Sequence, residues 1–315
     1  MRTIDWAGDA IEMIDQTSLP DRLEVLRITT VAGLVEAIRR LAVRGAPALG
    51  VAGALGVALA ARTGESIDAL RAARPTAVNL AWGVDQAAAR LPDAEAALKR
   101  ALEIRDADIA ACVAMGVRGA DLVETFAERP VRVMTICNTG GLAAVERGTA
   151  LGVVQTLHER GRLAEALALE TRPLLQGARL TTWELARMGA RHRLVADSAG
   201  PFLLARGHAD VVLTGADRIA ANGDTANKIG TYALALGARR AGVPFVVVAP
   251  ESTIDAGTSS GDKIEIEDRG AGEVVTIRGV QVAPEGTRAL NPAFDVTPRD
   301  LITAIVTEDR VWRPR

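Results

Sequence analysis

The chain has 315 residues, 37 basic against 39 acidic side chains, a net charge of −2 at neutral pH, and 3% aromatics. That length suffices for two domains with their own cores, and the balance of charge excludes the basic footprint of a nucleic-acid or anionic-membrane binder. Two distant cysteines, Cys112 and Cys137, exclude a disulfide framework and a cysteine zinc site, and the opening residues 1–6 carry no secretory signal, so a cytoplasmic protein is expected.

In chain order, the first predicted elements are a hairpin, Thr3–Trp6 and Ile11–Ile14 around Gly8-Asp9, then a third strand, Leu23–Ile28. Thr29 or Thr30 can cap a helix over Val31–Ala42. Residues Ala46 to Ala61 form an uncharged run, shorter than the roughly 18 residues a membrane span needs. Gly50, Gly53 and Gly56 leave one face of that helix bare for a neighbouring helix, so burial is the expectation. Helices over Val78–Arg90, Asp93–Ile104 and Ala107–Phe126 follow, punctuated by Pro75, Pro92 and Asp106. Residues 1–126 thus read as a small β-sheet plus a helical bundle.

The period then changes. Apolar runs Val131–Ile136, Ala166–Leu169, Leu194–Asp197, Val211–Thr214 and Phe245–Ala249 alternate with helical segments Gly141–Glu159, Arg179–Met188 and Ala226–Ala241. Strand and helix in repetition predict a parallel sheet covered on both faces over residues 127–315. A late hairpin, Glu273–Ile277 with Val280–Ala283, and a helix begun at Thr297-Pro298 end the chain. The fold class expected is α/β, a small sheet-and-bundle domain followed by a Rossmann-like domain.

Ligands of open α/β sheets bind beyond the carboxyl ends of the strands, so the strand ends are where chemistry is sought. Cys137 ends one strand; a helix opened by Gly140-Gly141 would favour its thiolate, and a small buried apolar residue is the alternative. Cys112, in an apolar helical run, reads as core. Asp217, after Thr214-Gly215-Ala216, is either an acid–base carboxylate or a loop cap, and Asp197 is a weaker case of the same kind. Arg44-Gly45-Ala46-Pro47 points the free amides of a helix start at an anion. Lys228 is one of three lysines, with Lys99 and Lys263, and with Asn227 lies near a helix start; Arg74 precedes another. No glycine fingerprint for a dinucleotide and no P-loop is present.

Taken together, Arg44–Gly50, Arg74–Leu80, Cys137-Asn138, Glu170–Leu180, Thr214–Arg218, Asn227–Thr231 and Asn291–Pro298 resemble S-methyl-5-thioribose-1-phosphate isomerase. These ordered motifs span most of the chain. The superfamily also holds other aldose-1-phosphate isomerases and the regulatory subunits of the translation-initiation exchange factor. The resemblance implies an aldose–ketose isomerase of methionine salvage that turns methylthioribose 1-phosphate into methylthioribulose 1-phosphate. It implies Cys137 and Asp217 as the catalytic pair. Arg44, Gly45, Ala46, Arg74, Gln176, Asn227 and Lys228 are implied as substrate and phosphate contacts. It further implies a homodimer with no metal and no organic cofactor.

The chain departs from the family pattern around the cysteine. Ile136 replaces a usual His, Thr139-Gly140-Gly141-Leu142-Ala143-Ala144 replaces Ala-Gly-Ala-Leu-Ala-Thr, and Glu146-Arg147-Gly148 replaces Gly-Tyr-Gly. This loop flanks the catalytic pair, so it bears on the C5 substituent of the sugar. An isomerase of 5-deoxyribose 1-phosphate or another pentose 1-phosphate is the enzymatic alternative. A non-catalytic subunit that senses sugar phosphate or nucleotide is the alternative from another class.

Overall fold

The computed structural model describes residues 2–75 and 77–314; Thr76, inside the Arg74–Leu80 motif, lies outside them. The chain divides into two compact units, Met1–Ala114 with Thr139–Gly152, and Met115–Asn138 with Val153–Arg315. This division does not follow the expected single boundary at 126/127. It falls inside one continuous helix, and the segment after Asn138 returns to the first unit.

In the first unit, Ile4–Ala7 (β1), Ala10–Ile14 (β2) and Val25–Ile28 (β3) form an antiparallel sheet in sequence order. Ile4 pairs with Met13 and Ile11 with Ile28, and all four are buried, so alternation sends the apolar set to one face. Thr30 caps Val31–Arg39 (α1), its hydroxyl accepting from the Gly33 amide at 3.1 Å. Ala46–Thr63 (α2) follows, then the single turn Asp68–Arg71 (α3) and Val78–Ala88 (α4). Among the described helices only α2 is long and apolar enough to cross a membrane, yet 72% of it is buried inside the protein. The glycines explain its packing. A methyl at Gly83 would lie 2.0 Å from the Gly50 carbonyl oxygen, and one at Gly53 2.7 Å from that of Leu80. Backbone meets backbone where α2 and α4 cross.

Ala94–Glu124 (α5) is one helix of 31 residues, not two. Asp106 does not interrupt it, because its exposed carboxylate pairs with Arg105 at 2.7 Å. An aspartate inside a helix costs less than about 1 kcal/mol. The burial of Ala101, Ile104, Cys112 and Met115 along the same helix outweighs that.

The second unit is built on Val131–Thr135 (β4), Ala150–Glu159 (α6), Leu163–Leu169 (β5), Thr182–Arg187 (α7), His192–Val195 (β6), Ala199–Ala205 (α8) and Val211–Thr214 (β7). Arg218–Ala220 (β8), Thr225–Lys228 (β9), Thr231–Ala241 (α9), Phe245–Val248 (β10) and Ile254–Asp255 (β11) come next. The chain ends with Gly272–Val275 (α10), Thr276–Ile277 (β12), Val280–Gln281 (β13), Phe294–Thr297 (β14), Ala304–Val306 (β15) and Val311–Trp312 (β16). The large sheet has the order β16-β15-β10-β7-β4-β5-β6, parallel except for β16. Numbered from β4, its parallel strands have the 3-2-1-4-5-6 order of a doubly wound dinucleotide-type fold. The direction of winding switches between β4 and β7. β4, β7 and β10 are buried almost throughout, which is why they read as apolar runs and not as alternation.

Three expected helices are shortened or replaced. Gly141–Glu159 is a 3₁₀ turn, Gly141–Ala143, then a loop and α6. Gly140 bridges Gly148, whose φ of +82° places its α-carbon against the Thr139 and Gly140 backbone, so the segment folds back on itself. Ala226–Ala241 begins as β9, paired with β8 and β14, and the helix starts only after Gly230 at φ +101°. The closing helix at Thr297-Pro298 is a 3₁₀ turn followed by β15, drawn in as a strand by its parallel pairing with β10.

Candidate active site

The switch point of a doubly wound sheet leaves a crevice beyond the carboxyl ends of the two strands where winding reverses. Cys137 follows β4 and Asp217 follows β7, the two strands that flank that point. Gln176 lies in the loop after β5, the other neighbour of β4. The topology therefore gathers onto one rim the residues that the sequence scattered over 80 positions.

Cys137 has φ +66°, the left-handed region that a non-glycine residue adopts at a cost on the order of 1–3 kcal/mol. Both its peptide groups are held by buried threonines. Its amide donates to Thr171 Oγ1 at 2.9 Å, and its carbonyl accepts from Thr181 Oγ1 at 2.6 Å. Thr171 itself has φ +68° and donates its hydroxyl proton to the Leu169 carbonyl at 3.0 Å. The Asp197 carboxylate accepts the amides of Thr171 and Arg172, each at 2.7 Å. That engagement makes Asp197 a loop clamp and not an acid–base group. Asn138 donates to Glu184 at 2.7 Å and to Thr181 at 3.3 Å. The helix start expected to face the thiol is absent; only the 3₁₀ turn Gly141–Ala143 follows.

Gln176 is 4% exposed, and its Oε1 is buried without a hydrogen-bond partner among the described residues. An unsatisfied acceptor in that position costs about 1–3 kcal/mol until a donor arrives. A ligand hydroxyl would supply one. It sits just before a π-helical turn, Gly177–Thr181, which is pressed onto the end of β5: a methyl at Gly177 would lie 1.7 Å from the Leu169 carbonyl oxygen. Ile136, where the resembled family has His, is buried, and a methyl at Gly230 would lie 3.1 Å from its Cδ1.

Asp217 is half-buried, and its amide donates to the Ala226 carbonyl at 2.9 Å, closing the turn into the β8–β9 hairpin. Asn227 and Lys228 stand on β9, opposite Asp295 and Phe294 of β14. Asn227 Nδ2 donates to Thr231 Oγ1 at 3.1 Å. Lys228 is 6% exposed; its Nζ donates to the Ala293 carbonyl at 2.8 Å and lies 4.5 Å from the centre of the Phe294 ring. Two amides at the start of α9 are already engaged, because the Asp295 carboxylate accepts from Gly230 at 2.7 Å and Tyr232 at 3.1 Å. Burial pushes that carboxyl up to about 6, against the opposing pull of those amides and of Lys228.

The remaining predicted residues belong to the first unit. Arg44 is half-buried, and Gly45, at φ +95°, precedes α2 with no side-chain cap on the helix amides and Pro47 in its first turn. A methyl at Gly45 would lie 2.4 Å from the Ala143 carbonyl oxygen, so the 3₁₀ turn packs directly on that glycine. Arg74 is half-buried just before α4, its carbonyl accepting from Ala77 at 3.0 Å. Among the described residues, no group of three or more His, Cys, Asp and Glu side chains is placed to hold a metal ion. Thr171, Thr181, Phe294 and Asp295 were not legible as site residues; Thr171, Phe294 and Asp295 lie within quoted motifs and Thr181 directly follows one, but their contacts are with distant parts of the chain.

A two-unit α/β protein with a cysteine and a carboxylate flanking the switch point of its parallel sheet has the layout of an enzyme for a small ligand. The chain belongs to the Initiation factor 2 subunit family, which matches residues 27–314. It is 51% identical over 330 aligned residues to a probable bifunctional methylthioribose-1-phosphate isomerase/methylthioribulose-1-phosphate dehydratase of Nocardia farcinica, of whose length it spans only 60%. It is 46% identical to the methylthioribose-1-phosphate isomerase of Chloroflexus aurantiacus, covering 100% of this chain and 96% of that one. Among solved structures, 5-methylthioribose 1-phosphate isomerase of Pyrococcus horikoshii matches with a TM-score of 0.91 at 40% identity, covering 99% of this chain and 92% of that one. A protein of A. fulgidus described as translation initiation factor eIF-2B, subunit delta, matches with a TM-score of 0.88 at 41% identity, covering 100% and 96%.

Proposed function

We propose that this protein is a methylthioribose-1-phosphate isomerase, converting the aldose phosphate to methylthioribulose 1-phosphate in methionine salvage. The observation that carries the reading is near-full-length identity of 46% to an isomerase, joined to a cysteine and an aspartate on either side of the sheet's switch point. The dehydratase activity of the bifunctional relative is not assigned to this chain.

The C1 phosphate locks the substrate as a ring. Isomerisation therefore breaks the bond between C1 and the ring oxygen, moves hydrogen from C2 to C1 and turns the C2 hydroxyl into a carbonyl. One proton must reach the ring oxygen and one must leave the C2 hydroxyl. We assign both transfers to Asp217, which delivers the first and collects the second, so that it ends as it began. We assign Cys137 to the C2 carbon. An enediol route would have its thiolate take the C2 proton and return it to C1; a direct hydride shift would need only its sulfur and apolar walls such as Ile136. Substrate deuterated at C2 separates the routes: deuterium is carried from C2 to C1 in the shift and exchanges with water in the enediol route.

Phosphate and sugar contacts are assigned to Asn227 and Lys228, to Gln176 as acceptor for a sugar hydroxyl, and to Arg44, Gly45, Ala46 and Arg74. Binding energy from groups remote from C1 and C2 orients the reacting carbons. We further infer a cytoplasmic homodimer that works without metal or organic cofactor; sedimentation checks the dimer, and unchanged turnover after chelation checks the metal. The likeness to a structure described as eIF-2B, subunit delta, favours a second reading, a non-catalytic regulatory subunit; we take its ligand in that case to be a sugar phosphate or a nucleotide.

The test is turnover by purified protein of methylthioribose, 5-deoxyribose and ribose 1-phosphates, with ketose formation followed by NMR. Methylthioribose 1-phosphate is expected to give the highest kcat/KM. Preference for 5-deoxyribose 1-phosphate would move the protein to a paralogous isomerase, and binding without any ketose would favour the regulatory subunit. Asp217→Asn should lower kcat by about 10²–10⁴ with an unchanged thermal midpoint. Near-normal turnover would remove Asp217 from the mechanism.

A further inference from the structure

Cys137 holds a backbone conformation that its residue type disfavours, and hydrogen bonds to its peptide groups come from elsewhere in the chain. A left-handed non-glycine residue persists only where its surroundings over-determine it. Here both peptide groups of Cys137 are tied, the amide to Thr171 Oγ1 at 2.9 Å and the carbonyl to Thr181 Oγ1 at 2.6 Å, 34 and 44 residues away. Both threonines are buried, at 0% and 1% exposure, so water does not compete for these bonds.

Each hydroxyl has one proton, and its use is already decided. Thr171 gives its proton to the Leu169 carbonyl, which turns a lone pair toward the Cys137 amide. Thr181 gives its proton to the Cys137 carbonyl and accepts from Asn138 Nδ2, the side chain of the next residue. Behind Thr171 stands Asp197, whose two oxygens hold the Thr171 and Arg172 amides. Behind Thr181 stands the π-helical turn seated on β5 through Gly177. Two supports, both seated at the end of β5, thus converge on the peptide groups of one residue.

We propose that Thr171 and Thr181 are positioning residues that hold Cys137 in its left-handed conformation and so aim its thiol, with Asp197 acting through Thr171. The proposal rests on the reading of Cys137 as the reactive thiol. It extends that reading to two residues that touch the Cys137 backbone and not the substrate. A threonine kept for its packing alone would tolerate valine, which has the same shape without the hydroxyl. A threonine kept for this hydrogen bond would not, and serine would restore most of what valine removes.

The experiment compares Thr171→Val, Thr171→Ser, Thr181→Val and Thr181→Ser with the unmodified protein. Thiolate formation is titrated by ultraviolet absorbance against a Cys137→Ser background, which cancels Cys112. Isomerase kcat and KM are measured in parallel. Each valine variant should shift the thiol titration midpoint. It should also lower kcat about 10- to 100-fold with KM little changed, as a misplacement of ~1 Å does. Each serine variant should recover both. If both valine variants keep the native titration and kcat, or if serine does no better than valine, the proposal falls. Should Thr171→Val fail to fold, Thr181→Val and the two serine variants decide by the same readouts. The titration is independent of turnover: if Cys137→Ser remains fully active, the catalytic reading of Cys137 fails while the backbone hold is still tested by the shifted midpoint.

Discussion

Replacing Asp295 by Asn should change the pH dependence of stability in a direction opposite to that of an ordinary salt-bridged aspartate. The carboxyl is raised from 3.8 to about 6, chiefly by burial, despite the amides of Gly230 and Tyr232 and the charge of Lys228. Below 3.8 both the folded and the unfolded chain carry the proton. Between 3.8 and about 6 the unfolded carboxyl has ionised while the folded one retains its proton, so the native state binds more protons and stability falls as pH rises. Above about 6 both are ionised and the loss is complete. A shift of roughly two units corresponds to about 3 kcal/mol, at 1.36 kcal/mol per unit. For a chain of this size that is on the order of 5 °C in thermal midpoint. Asp295→Asn abolishes the titration and leaves every other ionisable group in place. The midpoint of the unmodified protein minus that of the variant should therefore fall by this amount between about pH 4 and about pH 7.5. A gap that stays constant, or widens in favour of the unmodified protein as pH rises, would refute the argument that burial dominates at this carboxyl.

Gly177→Ala should lower both stability and turnover, because its new methyl would lie 1.7 Å from the Leu169 carbonyl oxygen and 2.9 Å from Thr171 Oγ1. Overpacking of this kind costs about 1–3 kcal/mol, and the displaced turn carries Thr181 off the Cys137 carbonyl. A native thermal midpoint and kcat would show that the turn can give way freely. Lys228→Ala should raise KM about 10- to 100-fold, since a charge-assisted bond to phosphate contributes about 1.5–3 kcal/mol; unchanged KM and kcat would take Lys228 out of the phosphate contacts. Iodoacetamide should inactivate in step with modification of Cys137, with substrate protecting. Inactivation that tracks Cys112, buried in α5, would misplace the thiol.

What could be read from the chain alone was whatever depends on near neighbours. The strands β4, β7 and β10 were legible because parallel strands covered on both faces must be apolar throughout. The strand-end positions of Cys137 and Asp217 were legible because the fold class puts ligands there, whereas Gln176 was singled out only through the motif that contains it. The burial of α2 was legible in its uncharged Ala-Gly composition, and its start at Gly45-Ala46-Pro47 in local helix chemistry.

Only the tertiary structure decided the rest. Asn227 and Lys228 have a local pattern compatible with a helix, and pairing of β9 with β14 some 65 residues later makes them a strand. The same pairing brings the Asp295 carboxylate to the Gly230 amide, a contact that helix-start reasoning alone does not place there. Asp106 has the propensity of a helix breaker, and burial along α5 overrides it. The left-handed turn at Cys137 is the clearest case. At φ +66° its amide and carbonyl find partners 34 and 44 residues away. A backbone strained by distant hydrogen bonds leaves no local mark, because the residues that hold it are ordinary threonines until the fold brings them together.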